Sequence, residues 1–588
     1  MIKLMKKYLK DYKKEVFLGP FFKLVEAVFE LLVPIVMAKI IDVGVKNGDT
    51  VYVFKHGLLI VFLGVVGYLS ALVCQYYGSR ASQGVGTKIR NDLFKHINSL
   101  SYSEIDKFGT PTLITRLTND INQVQLAVAM LIRLVVRAPF LVIGSTIMAM
   151  MIDLKISLIF LITAPVIALI VYTIMKKTIP FFRTIQKKLD RISLITRENL
   201  TGIRVIRAFS KQEREEKRFN DAVKDHTFSA IKAGKISALM NPLTYMAVNI
   251  AIIFIIWFGA LRVDGGYLSQ GQIIALVNYM TQILLALIVI ANVVVIFTKA
   301  SASSYRIQEV FDVNSSVVFT NELDLDTENQ EKNKVVFENV YFSYSDTENS
   351  EYALEDININ IKENETIGVI GGTGSGKTTF INLIPRFYDC SKGRIYLDGI
   401  DIKKYSKKQI NRKIGIVPQK AVLFSGTVRE NMRWRDENAS DEEIFKALEI
   451  SQSIDFVKKL KEGLDFKIQQ GGKNLSGGQR QRLTIARALV GNPEIIILDD
   501  SASALDFATD AALRKALKHQ ILNTTVFLVS QRVNTVKNAD RIVVFDDGKI
   551  AGIGSHSKLF ENCEVYREIC LSQLSRDEIE AFGRKEVR

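Results

Sequence analysis

Residues Ile367–Phe380 read I-G-V-I-G-G-T-G-S-G-K-T-T-F, and their spacing decides how the C-terminal half of the chain is built. Gly371, Gly376, Lys377 and Thr378 occupy the fixed places of G-x-x-x-x-G-K-[ST]. The apolar run Thr366–Ile370 reads as a buried strand and Lys377–Ile384 as the start of a helix, the context the motif requires. A glycine-rich turn would account for a lone match. Between strand and helix, however, the amides of Gly371, Thr373, Gly374, Ser375, Gly376 and Thr379 are set to face phosphate oxygens at a helix N-terminus. Lys377 then reaches the β- and γ-phosphates, and the Thr378 hydroxyl is a ligand for Mg²⁺. The stretch therefore predicts a nucleoside triphosphate site.

A chain of 588 residues is too long for one hydrophobic core, so two or three domains are expected. Hydrophobic residues make up 48% and are unevenly spread, with long apolar runs in the first half and α/β-like alternation in the second. The net charge of +15 raises the question of nucleic acid. The basic residues of the first half cluster beside apolar spans, which fits membrane topology and argues against a nucleic-acid partner. Cys74, Cys390, Cys563 and Cys570 have no metal-like spacing and read as reduced bystanders. Six lysines fall in the first fourteen residues with no short apolar core and cleavage site after them, so this stretch does not read as a signal peptide.

Met1–Glu15 reads as a basic amphipathic segment on a membrane surface. Six apolar spans follow, Val16–Ile41, Val51–Tyr77, Ala127–Ile152, Ile156–Met175, Pro242–Val263 and Gln272–Thr298, each near the ~20 residues that cross a bilayer. Connectors after spans two and four are long and rich in Lys and Arg, which places them and both termini in the cytoplasm. They keep helical periodicity, so the spans are expected to continue into the cytosol as levers. Breaks at Lys107-Phe-Gly-Thr-Pro and Ala208-Phe-Ser-Lys-Gln mark contact points for a cytosolic motor domain. Charges within spans are costly and point to function. Glu26 and Glu30, with Lys23 nearby, read either as a cation-attracting face of a substrate pathway or as an inter-helix pair. Arg133 and Arg137 fall at the cytoplasmic end of span three. Asn249, Asn278, Gln282 and Asn292 read as polar glue between helices or as pathway lining. Residues 313–334 are acidic and Asn-rich and read as a tether.

From Val335 onward the motifs fall in an order that resembles the nucleotide-binding domain of ABC transporters. With six spans ahead of it, the whole chain resembles a type I exporter half-transporter. The fold so implied is a multidomain membrane protein: a six-helix, all-α transmembrane domain over 1–312, the linker 313–334, and an α/β P-loop nucleotide-binding domain over 335–588. By the resemblance, Tyr344 stacks on adenine of ATP, Gln419 contacts Mg²⁺ or water, and Asp499 ends Walker B and positions Mg²⁺. Leu475–Arg480 is an intact L-S-G-G-Q signature followed by Arg. Its Ser476, Gly477, Gly478 and Gln479 are expected to meet the γ-phosphate of ATP held by the opposite domain of a head-to-tail pair. Ser503–Asp506 matches the D-loop.

Two positions depart from the pattern. Asp500 stands where hydrolytically competent members carry glutamate, and Gln531 stands in the place of the switch histidine. A carboxylate one methylene shorter sits on the order of 1 Å back from the attacking water, a misplacement that costs about 10²-fold. Glutamine donates a hydrogen bond but carries neither the charge nor the proton of imidazole. The resemblance thus points to the degenerate-site subunit of a bacterial heterodimeric multidrug exporter. Its implied partners are a second half-transporter, membrane lipid, and small hydrophobic or cationic substrates. The competing reading is an ATP-gated regulatory or channel-like protein, which flux strictly coupled to hydrolysis would exclude.

Overall fold

The computed structural model describes residues 2–320, 333–345, 351–501, 505–521 and 523–574. Residues 321–332 of the expected linker, and Ser503 and Ala504 of the D-loop match, lie outside them. The chain divides into two compact units, Met1–Asn98 with Gly109–Val313, and Ser99–Phe108 with Asn314–Arg588.

The first unit is helical: α1 (Ile2–Leu9), α2 (Lys13–Lys39) and α3 (Thr50–Ser99). After the short α4 (Tyr102–Phe108), which belongs to the second unit, come α5 (Thr110–Ile152), α6 (Leu154–Thr201), α7 (Gln212–Asp264) and α8 (Gln270–Phe311). The five helices α3, α5, α6, α7 and α8 are long and apolar enough to cross a membrane. Helix α2 has 27 residues, also enough to span ~30 Å at 1.5 Å per residue, but Lys23, Glu26 and Glu30 interrupt its apolar run. Helix α3 runs unbroken for 50 residues, about 75 Å, so the basic connector after span two is the continuation of its helix.

Polar groups fix the helix ends. Asp153 caps α6, its Oδ1 accepting from the amides of Lys155 (2.8 Å) and Ile156 (3.0 Å), while its other oxygen pairs with Arg262 on α7 at 2.5 Å. Asp42 accepts from the Gly271 amide at 2.7 Å and from the Ser269 hydroxyl, tying the end of α2 to the start of α8. A Cβ on Gly271 would lie 2.4 Å from the Ala38 carbonyl oxygen, so only glycine permits this approach. Helix α5 carries two π-type bulges, Arg116–Asp120 and Leu131–Val135. Asp120 of the first accepts from Arg306 Nε on α8 at 2.9 Å.

The basic N-terminal segment differs from its expected place on a membrane surface. Leu4, Met5 and Tyr8 are buried in the protein, and the Tyr8 hydroxyl donates to Asp92 of α3 at 2.9 Å. The apolar face that lipid would have covered is covered by helix. At the second lever break, a short helix Ile203–Ala208 is followed by an exposed Phe209.

Among the described residues the second unit holds three sheets, the smallest a two-stranded pairing of Gly426–Thr427 with Lys467–Ile468. A four-stranded antiparallel one has the order β2-β1-β4-β5, formed by β1 (Asn333–Phe342), β2 (Leu354–Lys362), β4 (Lys392–Leu397) and β5 (Ile400–Asp401). The largest runs β10-β9-β3-β8-β7-β6, with β3 (Thr366–Gly371), β6 (Ile414–Val417), β7 (Ile495–Asp499), β8 (Thr525–Val529), β9 (Arg541–Asp546) and β10 (Lys549–Gly554). Its strands are parallel except β10. Strands β7 and β8 are buried throughout, which is why they read as continuous apolar runs. Phe337, Phe380, Ile367 and Phe545 share the core that holds the two larger sheets together. The carboxyl ends of β3, β7 and β8 open together, where parallel α/β sheets place their ligands.

Candidate functional site

Strand β3 delivers the chain into the loop, and Gly376, at φ +99°, turns it into helix α9 (Lys377–Leu383). That left-handed conformation carries no penalty for glycine. Lys377 is buried. Its Nζ donates to the carbonyl oxygens of Gly371 (3.0 Å) and Gly372 (2.5 Å) and to Ser375 Oγ (3.2 Å). Burial lowers its pKa, and the charges of Asp499 and Asp500 work against that shift. The Thr378 hydroxyl donates to Asp499 at 3.3 Å. Burial raises the Asp499 pKa, the Thr378 hydrogen bond and Lys377 oppose it, and Asp500 adds to it.

One cavity of about 200 Å³ gathers these groups. Thr373, Gly374, Ser375, Gly376, Lys377, Thr378 and Thr379 form one wall, and Gln419, Asp499, Asp500 and Gln531 the other. The four come from the ends of β6, β7 and β8, far apart in sequence. Asp500 is held at φ +43° with its amide donating to the Val529 carbonyl at 2.9 Å, a strained conformation of the kind that clusters at functional sites.

The oxygens of Thr378 and Asp499, with Gln419 on the same cavity, make a hard donor set that fits Mg²⁺. Among the described residues no group of three or more His, Cys, Asp or Glu could hold a metal ion. Such a cation would therefore take most of its ligands from phosphate and water, as Mg²⁺ does.

Tyr344 does not line this cavity, but its hydroxyl lies 2.9 Å from Thr379 Oγ1, with its ring half exposed. The signature stands elsewhere. Ser476 caps helix α10 (Gly477–Leu489), its hydroxyl accepting from the Gln479 amide at 3.2 Å and its own amide donating to Gln479 Oε1 at 2.9 Å. Ser476 and Gly477 are exposed, and no signature residue lines the Lys377 cavity. Asp506 caps the helix Phe507–Gln520.

In the first unit, Glu26 accepts from Lys23 at 2.6 Å and Glu30 from Arg137 at 2.6 Å, with Arg137 Nε 3.8 Å from Glu26. Arg133, in the second bulge of α5, donates to Ser79 of α3 at 2.6 Å. Gln282 accepts from Ser145 at 3.3 Å, while Asn278 bonds only within its own helix among the described contacts.

One residue no motif marks is Gln573, the last of helix Glu564–Gln573. Its side chain donates to the Gln531 carbonyl at 2.7 Å and accepts from the Val533 amide at 2.9 Å, clamping the backbone that presents Gln531. An isolated amide at a helix end offers no sequence signal for this.

The ABC transporter transmembrane region matches residues 16–287, and the ABC transporter domain matches 354–503. An uncharacterized ABC transporter ATP-binding protein of Mycobacterium tuberculosis is 35% identical over 578 residues, 97% of this chain and 98% of that one. An ATP-dependent lipid A-core flippase of Hahella chejuensis is 31% identical over 519 residues, 88% of each. The solved structure of a bacterial Atm1-family ABC exporter with ATP bound superposes with a TM-score of 0.78 at 22% identity, covering 97% of this chain and all of that one. With its helical membrane unit, its phosphate-binding loop and these full-length relatives, the chain belongs to the ABC transporter family: a multi-pass membrane protein of exporter fold whose second domain binds ATP and makes it a transport ATPase.

Proposed function

We propose that this chain is one half of a heterodimeric exporter in a bacterial plasma membrane, moving hydrophobic or amphipathic compounds, drugs or lipids, out of the cytoplasm or inner leaflet. The nucleotide-binding domain and both termini face the cytoplasm. The observation that carries the reading is the placing of Asp500 and Gln531 on the same cavity as Lys377, Thr378 and Asp499. The phosphate- and cation-binding groups are gathered there, and the two groups that would activate water and sense the γ-phosphate are replaced. The relative described as a lipid A-core flippase supports an amphipathic cargo.

In this reading Tyr344 stacks on adenine, the loop amides and Lys377 hold the phosphates, and Thr378, Asp499 and Gln419 hold Mg²⁺. The cation supplies charge neutralisation between the phosphates. Asp500 reaches short of the attacking water, so ATP stays bound at this site. The exposed Ser476 and its helix terminus complete the partner's site, where hydrolysis proceeds. Purified alone, the chain should bind ATP yet turn it over far more slowly than it does with its partner half. A stable homodimer with the turnover of the pair would overturn the heterodimer.

Glu26 and Glu30 are already engaged by Lys23 and Arg137, so we place them beside the substrate pathway as a cluster that ties α2 to α5. Replacing both with glutamine should depress export of cationic and neutral dyes alike. A selective loss of the cationic dye in vesicle transport would restore the cation-attracting role.

A further inference from the structure

We propose that Tyr388 is a positioning residue that passes the stacking state of Tyr344 to the turn Ser99–Phe108, the loop joining two membrane-unit helices. The inference rests on Tyr344 being the adenine-stacking residue.

The turn is built into the nucleotide-binding unit at two places. At one, the Glu104 carboxylate accepts from the amides of Ser101 (3.0 Å) and Ser316 (3.2 Å), and Ser101 Oγ lies 2.9 Å from Ser316 Oγ. At the other, the Tyr102 ring packs on Phe387 with centroids 4.5 Å apart and stands 6.2 Å from Tyr388. The Tyr388 hydroxyl donates to Asp106 Oδ2 at 3.0 Å. Burial and the Asp106 charge hold that phenol above its usual range, so it remains a donor.

The other side of Tyr388 faces Tyr344 and Phe342. Its ring meets Tyr344 edge to face, centroids 5.5 Å apart at 88°, and Phe342 at 5.5 Å. Tyr344 in turn reaches Thr379, in the first turn of α9, through its hydroxyl. Edge-to-face aromatic pairs have a preferred geometry. A base that fixes the plane of Tyr344 therefore fixes the edge on which Tyr388 rests, and the hydroxyl carries that setting to Asp106. The turn begins at Ser99, the last residue of α3, and ends at Phe108, which only Gly109 separates from α5. Tyr388 thus gives adenine binding a route to the turn that bypasses the phosphate-contacting residues.

Hydrogen exchange of the full-length chain in lipid nanodiscs, with and without MgATP, tests this, with ATP affinity measured on the same samples. In the native chain ATP should slow exchange across 99–108 at least about five-fold, the lower end of ordinary coupling. Tyr388→Phe keeps the ring and removes only the hydroxyl; it should abolish that response with ATP affinity unchanged within about two-fold, well under a tenfold step. Asp106→Ala should do the same. Asp106→Asn keeps an acceptor oxygen and should retain the response, which separates lost signalling from lost folding. The Tyr388→Phe/Asp106→Ala double variant should be no worse than either single one. A full response in Tyr388→Phe, additive effects in the double variant, or a native chain that binds ATP without a change at 99–108 would each overturn the proposal. A native chain that binds no ATP would instead show up in the affinity measurement and remove the nucleotide reading on which the proposal stands.

Discussion

Ser476→Arg should abolish most ATP turnover by the proposed heterodimer, a loss of about 10²- to 10³-fold, the scale of removing a preorganised donor from a developing charge. The serine stands exposed at the N-terminus of α10, its hydroxyl engaged by the Gln479 amide. The amides behind it are free to approach a γ-phosphate from another molecule. A bulky guanidinium at that point removes the cap and blocks the approach together. Asp500→Ala should cost far less, because in the proposed asymmetric pair its site contributes little of the rate. Asp500→Glu should not create a second strong site. Gln531 would remain in place, and glutamate tolerates the φ of +43° at this position less readily than aspartate. Steady-state ATPase of the reconstituted pair, one substitution at a time, checks all three. Equal damage from Asp500→Ala and Ser476→Arg would refute the asymmetric assignment.

Lys377→Ala should weaken nucleotide binding at this chain's site by about 10- to 150-fold, the worth of a hydrogen bond to a charged group at 1.5–3 kcal/mol. The side chain also holds the loop's shape through the carbonyls of Gly371 and Gly372, so the loop loses both its counter-charge and its internal tie. Titration of a fluorescent ATP analogue into the purified chain measures the change. Unaltered affinity would take Lys377 out of its assigned role.

The nucleotide site was largely legible in the sequence because its chemistry is local. A strand, a glycine-rich turn and a helix start occupy fourteen consecutive residues, and Gln419, Asp499 and Gln531 each lie at or just past the end of a strand of one parallel sheet. Buried strands such as β7 announce themselves as unbroken apolar runs. The long helices were also legible, since α3 keeps one helical period over 50 residues, from an apolar run into a polar one. What stayed hidden depends on partners distant in the chain. Glu30 meets Arg137 across 107 positions, and neither residue signals the other. The bulges at Arg116–Asp120 and Leu131–Val135 have no compositional mark, since an extra residue in a helical turn leaves local hydropathy unchanged. The basic first helix showed an apolar face but not what covers it, because lipid and protein accept the same Leu, Met and Tyr. Tyr388 and Gln573 escaped for the same reason: each acts through the backbone or ring of a residue that a motif already names.

The discontinuity of the second unit has a consequence for how the protein is made. Asp106 leaves the ribosome 282 residues before Tyr388, on the order of 15 to 60 s at 5–20 residues per second. Throughout that interval the helices on either side can enter the bilayer while the turn between them has no surface to rest on. Its seat on Phe387 and Tyr388 is thus among the last parts of its environment to be synthesised. A defect there would leave a membrane unit fully inserted, an ATPase domain folded, and the turn unseated, a product that expression level and membrane fractionation would both pass as normal.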